Sequence, residues 1–304
     1  MTTQPMEDYL RDRLTVEAQQ PGLLRARVCF PPDLQGPPEA GHGGGITAML
    51  FELVRLLEGE RAGAIRLPRP VRVEVALHRE LPLDTALQAE AERAAGSWHS
   101  RIVQEGRPIA EAEVRLLAEP LSPLPPEVRQ DWEASQRHAD EVPGYEFCLG
   151  CGLSNPRGAQ VRFDYNDRMV WKQLTPQAHF RSADGSLFPG YLCIVLDELG
   201  WWLGALRQGE CGLSNRLTVC LGGSVDSDIP LLAVGARSAV VTSDKKGRVW
   251  QTAVAVVTPD WTPVATAEVQ FVGSRAFTKV MLSRFVSGND PAALRRAFPR
   301  YAEP

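Results

Sequence analysis

The chain has 304 residues, which is long for one hydrophobic core and suits two domains of about 100–150 residues each. Its 33 basic and 37 acidic residues give a formal charge of −4, which argues against a nucleic-acid-binding surface. No apolar run resembles a signal peptide or a membrane span, and six cysteines are too few for a disulfide framework. We therefore expect a cytoplasmic protein that contacts neither nucleic acid nor membrane.

The predicted elements form one helix and four strands, and this series occurs twice along the chain. Apolar runs of helical length and strands of alternating polarity carry the prediction. The first series is a helix at 46–57 and strands at 71–77, 86–93, 97–104 and 108–117. The second is a helix at 191–206 and strands at 217–221, 233–241, 249–256 and 263–272.

The last strands of the two series are similar in sequence. PIAEAEVRLL at 108–117 and PVATAEVQFV at 263–272 are identical at five of ten positions. Chance resemblance between two strands is the alternative, but the ordered series of matching elements favours an internal repeat.

The repeat and a proline-rich segment predict the domain organisation. We expect a first domain at 1–120, a linker at 121–144, a second domain at 145–286 and a C-terminal tail at 287–304. In each domain an apolar helix must be buried against one face of an antiparallel sheet, which makes the fold class α+β. The two sheets would join edge to edge within the chain.

Three segments resemble the hot-dog thioesterases of the phenylacetate-pathway and 4-hydroxybenzoyl-CoA superfamily. They are GHGGGITAMLFEL at 41–53, the C-x-x-C-G-x-x-N-P-x-G segment beginning at Cys148, and FPGYLCIVLDELGWW at 188–202. The resemblance implies two tandem hot-dog domains, each an antiparallel sheet wrapped around a central helix, paired as an intramolecular double hot-dog. It also implies hydrolysis of an acyl-CoA or related acyl thioester without metal or cofactor, in a monomer with an internal pseudo-dimer or in a homodimer.

The resemblance places catalytic acids at Glu52 in the first helix and Asp197 in the second. A carboxylate can act as general base for water or attack the thioester directly, and the amides of Gly44 and Gly45 can bind the oxyanion. Gly44 and Glu52 are about 12 Å apart along one helix, at a rise of 1.5 Å per residue. Each acid is therefore expected to work with the glycine loop of the other repeat.

The two composite sites predicted in this way are unequal. Asp197 would face the intact loop of the first repeat, whereas Glu52 would face Pro189 and Gly190, and proline lacks an amide donor. Asp197 is the favoured catalytic acid and Glu52 the second choice. A non-catalytic protein that binds acyl-CoA through degenerate sites is the alternative function.

Further site residues follow from the same resemblance. His42 is a catalytic candidate that orients the substrate, although one extra glycine displaces it from the family spacing. The substrate-binding candidates are Gly43, Gly190, Trp201 and Arg157, the last for CoA phosphates.

Two other interpretations are weaker. Cys148 and Cys151 form a single C-x-x-C pair, which favours a glycine-supported turn over a four-ligand zinc site or a redox motif. We therefore predict no metal site. The segment 178–192 is similar to hot-dog dehydratases, but Val195 stands where their glutamate is expected.

Overall fold

The structure is a computed structural model that describes residues 4–59, 70–135, 138–285 and 288–301. Six helices are present in these ranges: α1 (Met6–Arg11), α2 (Gly43–Leu57), α3 (Pro126–Ser135), α4 (Pro189–Gln208), α5 (Arg275–Phe285) and α6 (Pro291–Ala297). The strands of the first half are β1 (Leu14–Gln20), β2 (Leu23–Cys29), β3 (Val71–Leu77), β4 (Ala86–Ala94), β5 (Ser97–Gln104) and β6 (Arg107–Leu116). Those that follow are β7 (Asp140–Glu141), β8 (Asp164–Tyr165), β9 (Met169–Leu174), β10 (Gly212–Leu221), β11 (Leu231–Ala236), β12 (Val241–Thr242), β13 (Val249–Val257) and β14 (Pro263–Gly273).

All described strands belong to one antiparallel sheet, in which the two halves repeat one strand order outward from their junction, with β7 as an additional strand at the edge of the second half. The order is β1-β2-β4-β5-β6-β3 in the first half and β10-β14-β13-β11-β9-β8-β7 in the second, with β12 paired to β13. The halves meet where β3 pairs with β10. The expected α+β fold, with the two sheets joined edge to edge, is therefore confirmed.

The junction between the halves is a continuous part of the core. Val73 pairs with Val219 and Val75 with Leu217, and all four side chains are buried. Alternate residues of β3 face the core, as expected for a strand with one buried face. A one-residue slip would turn these apolar side chains toward the opposite face, so the pattern determines the register between the halves.

Helices α2 and α4 pack against the sheet and cross each other at glycines. A side chain at Gly44 would come within 2.5 Å of the Cys193 carbonyl oxygen and 2.6 Å of the Ile194 Cα. Gly190 approaches Ala48 in the same way, since a Cβ at Gly190 would lie 2.8 Å from that of Ala48. This close crossing brings the beginning of α2 to the middle of α4, next to Asp197.

Each predicted helix and strand is present, with some changes in length. The first central helix begins three residues earlier than predicted, at Gly43, and the strand predicted at 233–241 ends at Ala236. No helix in the described ranges is long and apolar enough to span a bilayer.

The predicted linker has structure of its own. Helix α3 lies within 121–144, and its Trp132 packs edge to face against Trp261 with ring centroids 5.5 Å apart. This contact belongs to an apolar cluster on the outer face of the second half-sheet. Strand β7, also in the predicted linker, pairs with β8.

The C-terminal region adds two helices to the hot-dog elements predicted from the sequence. Helix α5 falls within the predicted second domain and α6 within the predicted tail. Phe285 and Phe298 pack against Trp202 of α4, each with ring centroids 6.1 Å from it. These helices therefore cover one side of α4 beside Asp197. Residues 287 and 302–304 of the predicted tail lie outside the described ranges.

Candidate active site

His42 is the N-cap residue of α2. Its backbone is extended, and its amide donates to the Leu34 carbonyl at 3.0 Å. The ring Nδ1 accepts from the Gly44 amide at 3.0 Å and the Gly45 amide at 3.4 Å. These first-turn amides have no acceptor within the helix, so a capping side chain stabilises the helix start. The extra glycine of the loop thus leaves His42 at the helix start, with its ring buried.

Asp197 of α4 faces the start of α2 from the other half of the molecule. Its Oδ2 accepts from the Gly44 amide at 2.7 Å, and Oδ1 has no hydrogen-bond partner among the described residues. A side chain at Gly43 would lie 2.7 Å from Oδ2, so glycine is needed there for the carboxylate to approach. Burial raises the pKa of Asp197, while the charge of His42 and hydrogen bonding from Ser214 and the Gly44 amide oppose that shift.

Glu198 approaches His42 from the opposite side of the imidazole. Glu198 Oε2 lies 3.1 Å from His42 Nε2, and Oε1 accepts from the Trp202 indole at 3.0 Å. Burial raises the pKa of Glu198, but hydrogen bonds from His42, Cys151 and Trp202 outweigh it and hold the pKa below its usual value. Glu198 is therefore an ionised, firmly held carboxylate.

The imidazole of His42 has partners in either protonation state. When the ring is neutral, Nδ1 accepts the Gly44 amide and Nε2–H donates to Glu198. When it is protonated, Asp197 at 3.4 Å and Glu198 at 3.1 Å lie on either side of the charge. Burial lowers the pKa of His42, but Cys148, Glu198 and Asp197 raise it well above its ordinary value.

The C-x-x-C segment forms a turn that closes over His42 and Glu198. The Gly152 amide donates to the Cys148 carbonyl at 3.0 Å, and the Gly150 amide donates to Cys148 Sγ at 3.3 Å. Cys148 Sγ lies 3.6 Å from Glu198 Oε2. Burial raises the pKa of the Cys148 thiol, but Cys151 and His42 lower it to about 7.

A cavity of about 360 Å³ opens onto these groups. His42, Asp197 and Glu198 are among its polar lining residues, together with Ser214 and Asn215 of β10. Its apolar wall is shared between α4 and α5, with Trp201 and Met281 among the lining residues. The exposed side chain of Arg79 also lines the cavity, at its open side. A narrow apolar space with a few convergent polar groups is typical of a ligand site.

The structure brings together most of the residues predicted for the Asp197 site. His42, Gly43, Asp197 and Trp201 all line the cavity, and Gly44 donates to Asp197. Gly45 does not line the cavity, since its amide faces His42 and a Cβ there would lie 2.8 Å from the Leu149 side chain.

Glu52 lies apart from this site, in a buried ion-pair cluster. It pairs with Arg55 on its own helix and with Arg11 of α1 at 3.1 Å. Glu7 pairs with Arg55 at 3.2 Å and with Arg11 at 2.9 Å. Burial raises the pKa of Glu52, against the effect of the two arginines. Both carboxylate oxygens of Glu52 are thus engaged by cations, and no cavity residue contacts them.

Two predicted substrate-binding residues also lie elsewhere. Arg157 donates to the Gln4 carbonyl at 2.7 Å and stacks over the Tyr9 ring at 4.3 Å, which holds the N-terminal segment in place. Gly190 packs against α2 at the helix crossing. Neither lines the cavity beside Asp197.

Sequence reasoning did not find Glu198, the two cysteines or α5 as parts of the site. Glu198 directly follows Asp197 in the sequence, and the C-x-x-C pair is recognisable there. Neither feature shows that His42 contacts Glu198 and lies beside the cysteines. The sequence separations from Glu198 are 156 residues for His42 and 50 for Cys148. Only the fold brings these groups together.

No protein-family profile and no curated protein matches the chain. Solved structures do match it. The tesB protein of Mycobacterium avium subsp. paratuberculosis is 13% identical, with a TM-score of 0.57 over 88% of this chain and 99% of its own. A provisionally assigned thioesterase of Novosphingobium aromaticivorans is 16% identical, with a TM-score of 0.55 over 85% and 98%. The PpsC dehydratase domain of Mycobacterium tuberculosis, solved with C12:1-CoA, is 19% identical, with a TM-score of 0.55 over 86% and 98%. These likenesses establish that the chain has the double hot-dog fold.

Proposed function

We propose that the protein hydrolyses an acyl thioester, with acyl-CoA as the first substrate class to test. One observation carries the proposal. Asp197 of one half is hydrogen-bonded to a first-turn amide of the other half's central helix, beside a largely apolar cavity. A carboxylate next to a helix N-terminus combines a base or nucleophile with donors for a developing oxyanion.

In the proposed reaction, Asp197 accepts a proton from water while the hydroxide adds to the thioester carbonyl carbon. The negative charge that develops on the carbonyl oxygen is stabilised at the N-terminal end of α2, with the amide of Gly43, which lines the cavity, as the donor. The Gly44 amide already donates to Asp197 and His42. The carbon–sulfur bond then breaks, and the leaving thiolate takes up the proton. The alternative route is direct attack of Asp197 to give an anhydride, which water then hydrolyses.

The mostly apolar lining of the cavity favours binding of an acyl group over binding of a polar substrate. Trp201, Phe277 and Met281 lie along its wall, and aromatic and thioether side chains gain free energy by covering an acyl chain. We propose that Arg79 at the open side replaces Arg157 as the contact for CoA phosphates. Its guanidinium is exposed and is held by carbonyl oxygens of Arg107 and Pro108.

The test compares Asp197→Asn with Glu52→Gln in assays of CoA release from a panel of acyl-CoAs. Loss of a general base typically costs about 10²- to 10⁴-fold in rate, so Asp197→Asn should lose activity on that scale. Glu52→Gln changes a buried carboxylate outside the cavity and should leave turnover of the folded protein within about threefold. Equal activity of Asp197→Asn and wild type would contradict the catalytic assignment.

A second candidate is dehydration of a 3-hydroxyacyl thioester. His42 and Asp197, from opposite halves, lie 3.4 Å apart in one cavity, and such a pair can remove an α-proton and protonate a leaving hydroxyl. Val195 stands where dehydratases are expected to have a glutamate, but Asp197 supplies a carboxylate beside His42. Formation of an α,β-unsaturated thioester without CoA release would favour dehydration. Saturable acyl-CoA binding without either product would favour the non-catalytic alternative.

A further inference from the structure

We propose that His42, Cys148, Cys151 and Glu198 bind a thiophilic divalent cation, with Zn²⁺ the best match. The proposal is independent of the thioesterase proposal, since it concerns the side of the His42 ring that faces away from Asp197. By itself the C-x-x-C pair offers two of the four ligands of a zinc site, which is why the sequence predicted no metal there. The fold supplies an imidazole and a carboxylate as further ligands from two other segments.

The candidate ligand atoms are already arranged as a compact group. Ligand atoms of His42, Cys148 and Glu198 all lie within 4.8 Å of one another. Cys151 is not part of that group but lies beside it, since its thiol hydrogen-bonds with Cys148 and Glu198, and it is the candidate fourth ligand. All four residues are at most 7% exposed. Two thiolates, an imidazole and a carboxylate form the kind of N/S/O set that Zn²⁺ prefers.

The distances fit the edges of a zinc tetrahedron. Ordinary zinc–ligand lengths give an edge of about 3.4 Å between nitrogen and oxygen ligands and about 3.6 Å between oxygen and sulfur ligands. His42 Nε2 and Glu198 Oε2 are 3.1 Å apart, and Glu198 Oε2 and Cys148 Sγ are 3.6 Å apart. These two distances therefore suit a cation bound by His42, Glu198 and Cys148, and the Cys151 sulfur would have to move toward them to occupy the fourth position.

The surroundings of the ligands also suit a metal site. Trp202 donates to the second oxygen of Glu198 at 3.0 Å. With a cation on His42 Nε2 the ring proton would lie on Nδ1, where Asp197 at 3.4 Å can accept it, and the Gly44 amide would keep Asp197 as its acceptor. Such outer partners orient ligating carboxylates and imidazoles in metal proteins. The Gly150 amide donates to Cys148 Sγ, which stabilises a thiolate.

The turn that carries the cysteines is fixed by contacts with the first half. The Leu149 amide donates to the Gln35 carbonyl at 2.7 Å, and the Asn155 side chain donates to the Asp33 carbonyl at 2.8 Å. A side chain at Gly150 would lie 2.5 Å from Glu198 Oε2 and 2.9 Å from His42 Nε2. The glycine therefore allows the turn to approach the other two ligands closely. A bound cation would link the second half's turn and helix to the first half's loop.

The test uses the full chain without a polyhistidine tag. The protein is equilibrated with Zn²⁺, passed through a desalting column and analysed for metal content. Wild type should retain about one Zn²⁺ per chain, and the double variant Cys148→Ser/Cys151→Ser should retain less than about a tenth of that. Cys211→Ser, which also removes a buried sulfur but lies outside the cluster, is the matched control and should retain the metal.

A second measurement needs no variant. Wild type loaded with Co²⁺ should show thiolate-to-cobalt charge-transfer absorption, and bound Zn²⁺ should protect Cys148 and Cys151 from alkylation until a chelator is added. Less than about a tenth of an equivalent of zinc in wild type, with no cobalt–thiolate absorption, would overturn the proposal. So would equal zinc content in the double variant, or a Cys148–Cys151 disulfide in protein purified with zinc present. Because none of these readouts is turnover, inactivity toward acyl-CoA would leave the metal assignment standing.

Discussion

Asp197 and Glu52 occupy matching positions on the two central helices, but their surroundings differ. Asp197 has one oxygen without a hydrogen-bond partner among the described residues and lines the cavity. Glu52 is enclosed by Arg55 and by Arg11 of α1. The sequence favoured Asp197 over Glu52 because of the glycine loop opposite it. Arg55 lies three residues after Glu52 on the same helix, a spacing that the sequence shows. Arg11 could not be predicted as a partner, since the position of α1 depends on tertiary contacts.

Glu52→Ala should destabilise the protein because it removes a fully buried carboxylate that pairs with the buried Arg55 and the partly buried Arg11, both of which also pair with Glu7. Removal of one partner from a buried ion pair costs about 3–5 kcal/mol of unfolding free energy. Glu90→Ala, which breaks pairs with Arg25 and Arg101 at the surface, should cost at most about 1 kcal/mol. Denaturant unfolding of both variants provides the comparison. Equal effects would contradict a buried structural role for Glu52.

His179 should contribute to loss of stability in mild acid. Burial lowers the pKa of His179, and its neutral ring donates Nε2–H to the Arg157 carbonyl at 3.1 Å. Because the pKa is lower in the folded state, the unfolded chain binds more protons as the pH falls through the ordinary value of 6.5. The unfolding free energy of wild type should therefore decrease between about pH 7.5 and about pH 5.5, and that of His179→Gln should decrease by less over the same range. The same decrease in both proteins would be evidence against this assignment.

At the scale of elements, the helix crossing positions the site. The apolar runs in the sequence predicted both helices, and the consecutive glycines predicted the loop. The sequence did not predict that the loop glycines also serve backbone packing, because a glycine pattern alone does not show which neighbour approaches. Helix α5 was not predicted either, although Thr278, Met281 and Phe285 have the spacing of one helical face. The sequence did not show that this face would pack beside α4. Part of the cavity wall was therefore unpredictable.

Gly44→Ala should destabilise the crossing of α2 and α4. Its Cβ would lie 2.5 Å from the Cys193 carbonyl oxygen, which belongs to the backbone and cannot rotate away. Overpacking of this kind costs about 1–3 kcal/mol, and the displaced helices should also disturb Asp197. Gly223→Ala is the control, because no atom lies within 4 Å of a Cβ built there. Unfolding curves that show no difference between the two variants would contradict the close approach.

At the scale of the whole molecule, the predicted repeat and its edge-to-edge junction agree with the observed sheet. That prediction used the two ordered series of one helix and four strands and the need to cover sheet edges. It did not say that β3 and β10 are the strands that meet. The structured linker was not predicted, because its prolines favoured an irregular connection and only Trp132 meeting Trp261 shows that α3 packs on the sheet.

The two halves should remain associated after the connection between them is cut. Ser122 and Pro123 are exposed between β6 and α3, so a protease site can be inserted there without removing a buried contact. The β3–β10 pairing and the crossing of α2 and α4 bury apolar surface between the halves, which should hold them together. Size-exclusion chromatography after cleavage should give one peak containing both fragments. Separate peaks or precipitation would show that the covalent connection is required.

The most direct test of the account is a crystal structure of the protein with a non-hydrolysable acyl-CoA analogue. The account predicts that the acyl group occupies the cavity lined by Trp201 and Met281. The carbonyl carbon should lie beside Asp197, with its oxygen within hydrogen-bond distance, about 2.7–3.1 Å, of the Gly43 amide. An analogue whose carbonyl lies away from Asp197, or next to Glu52, would contradict it.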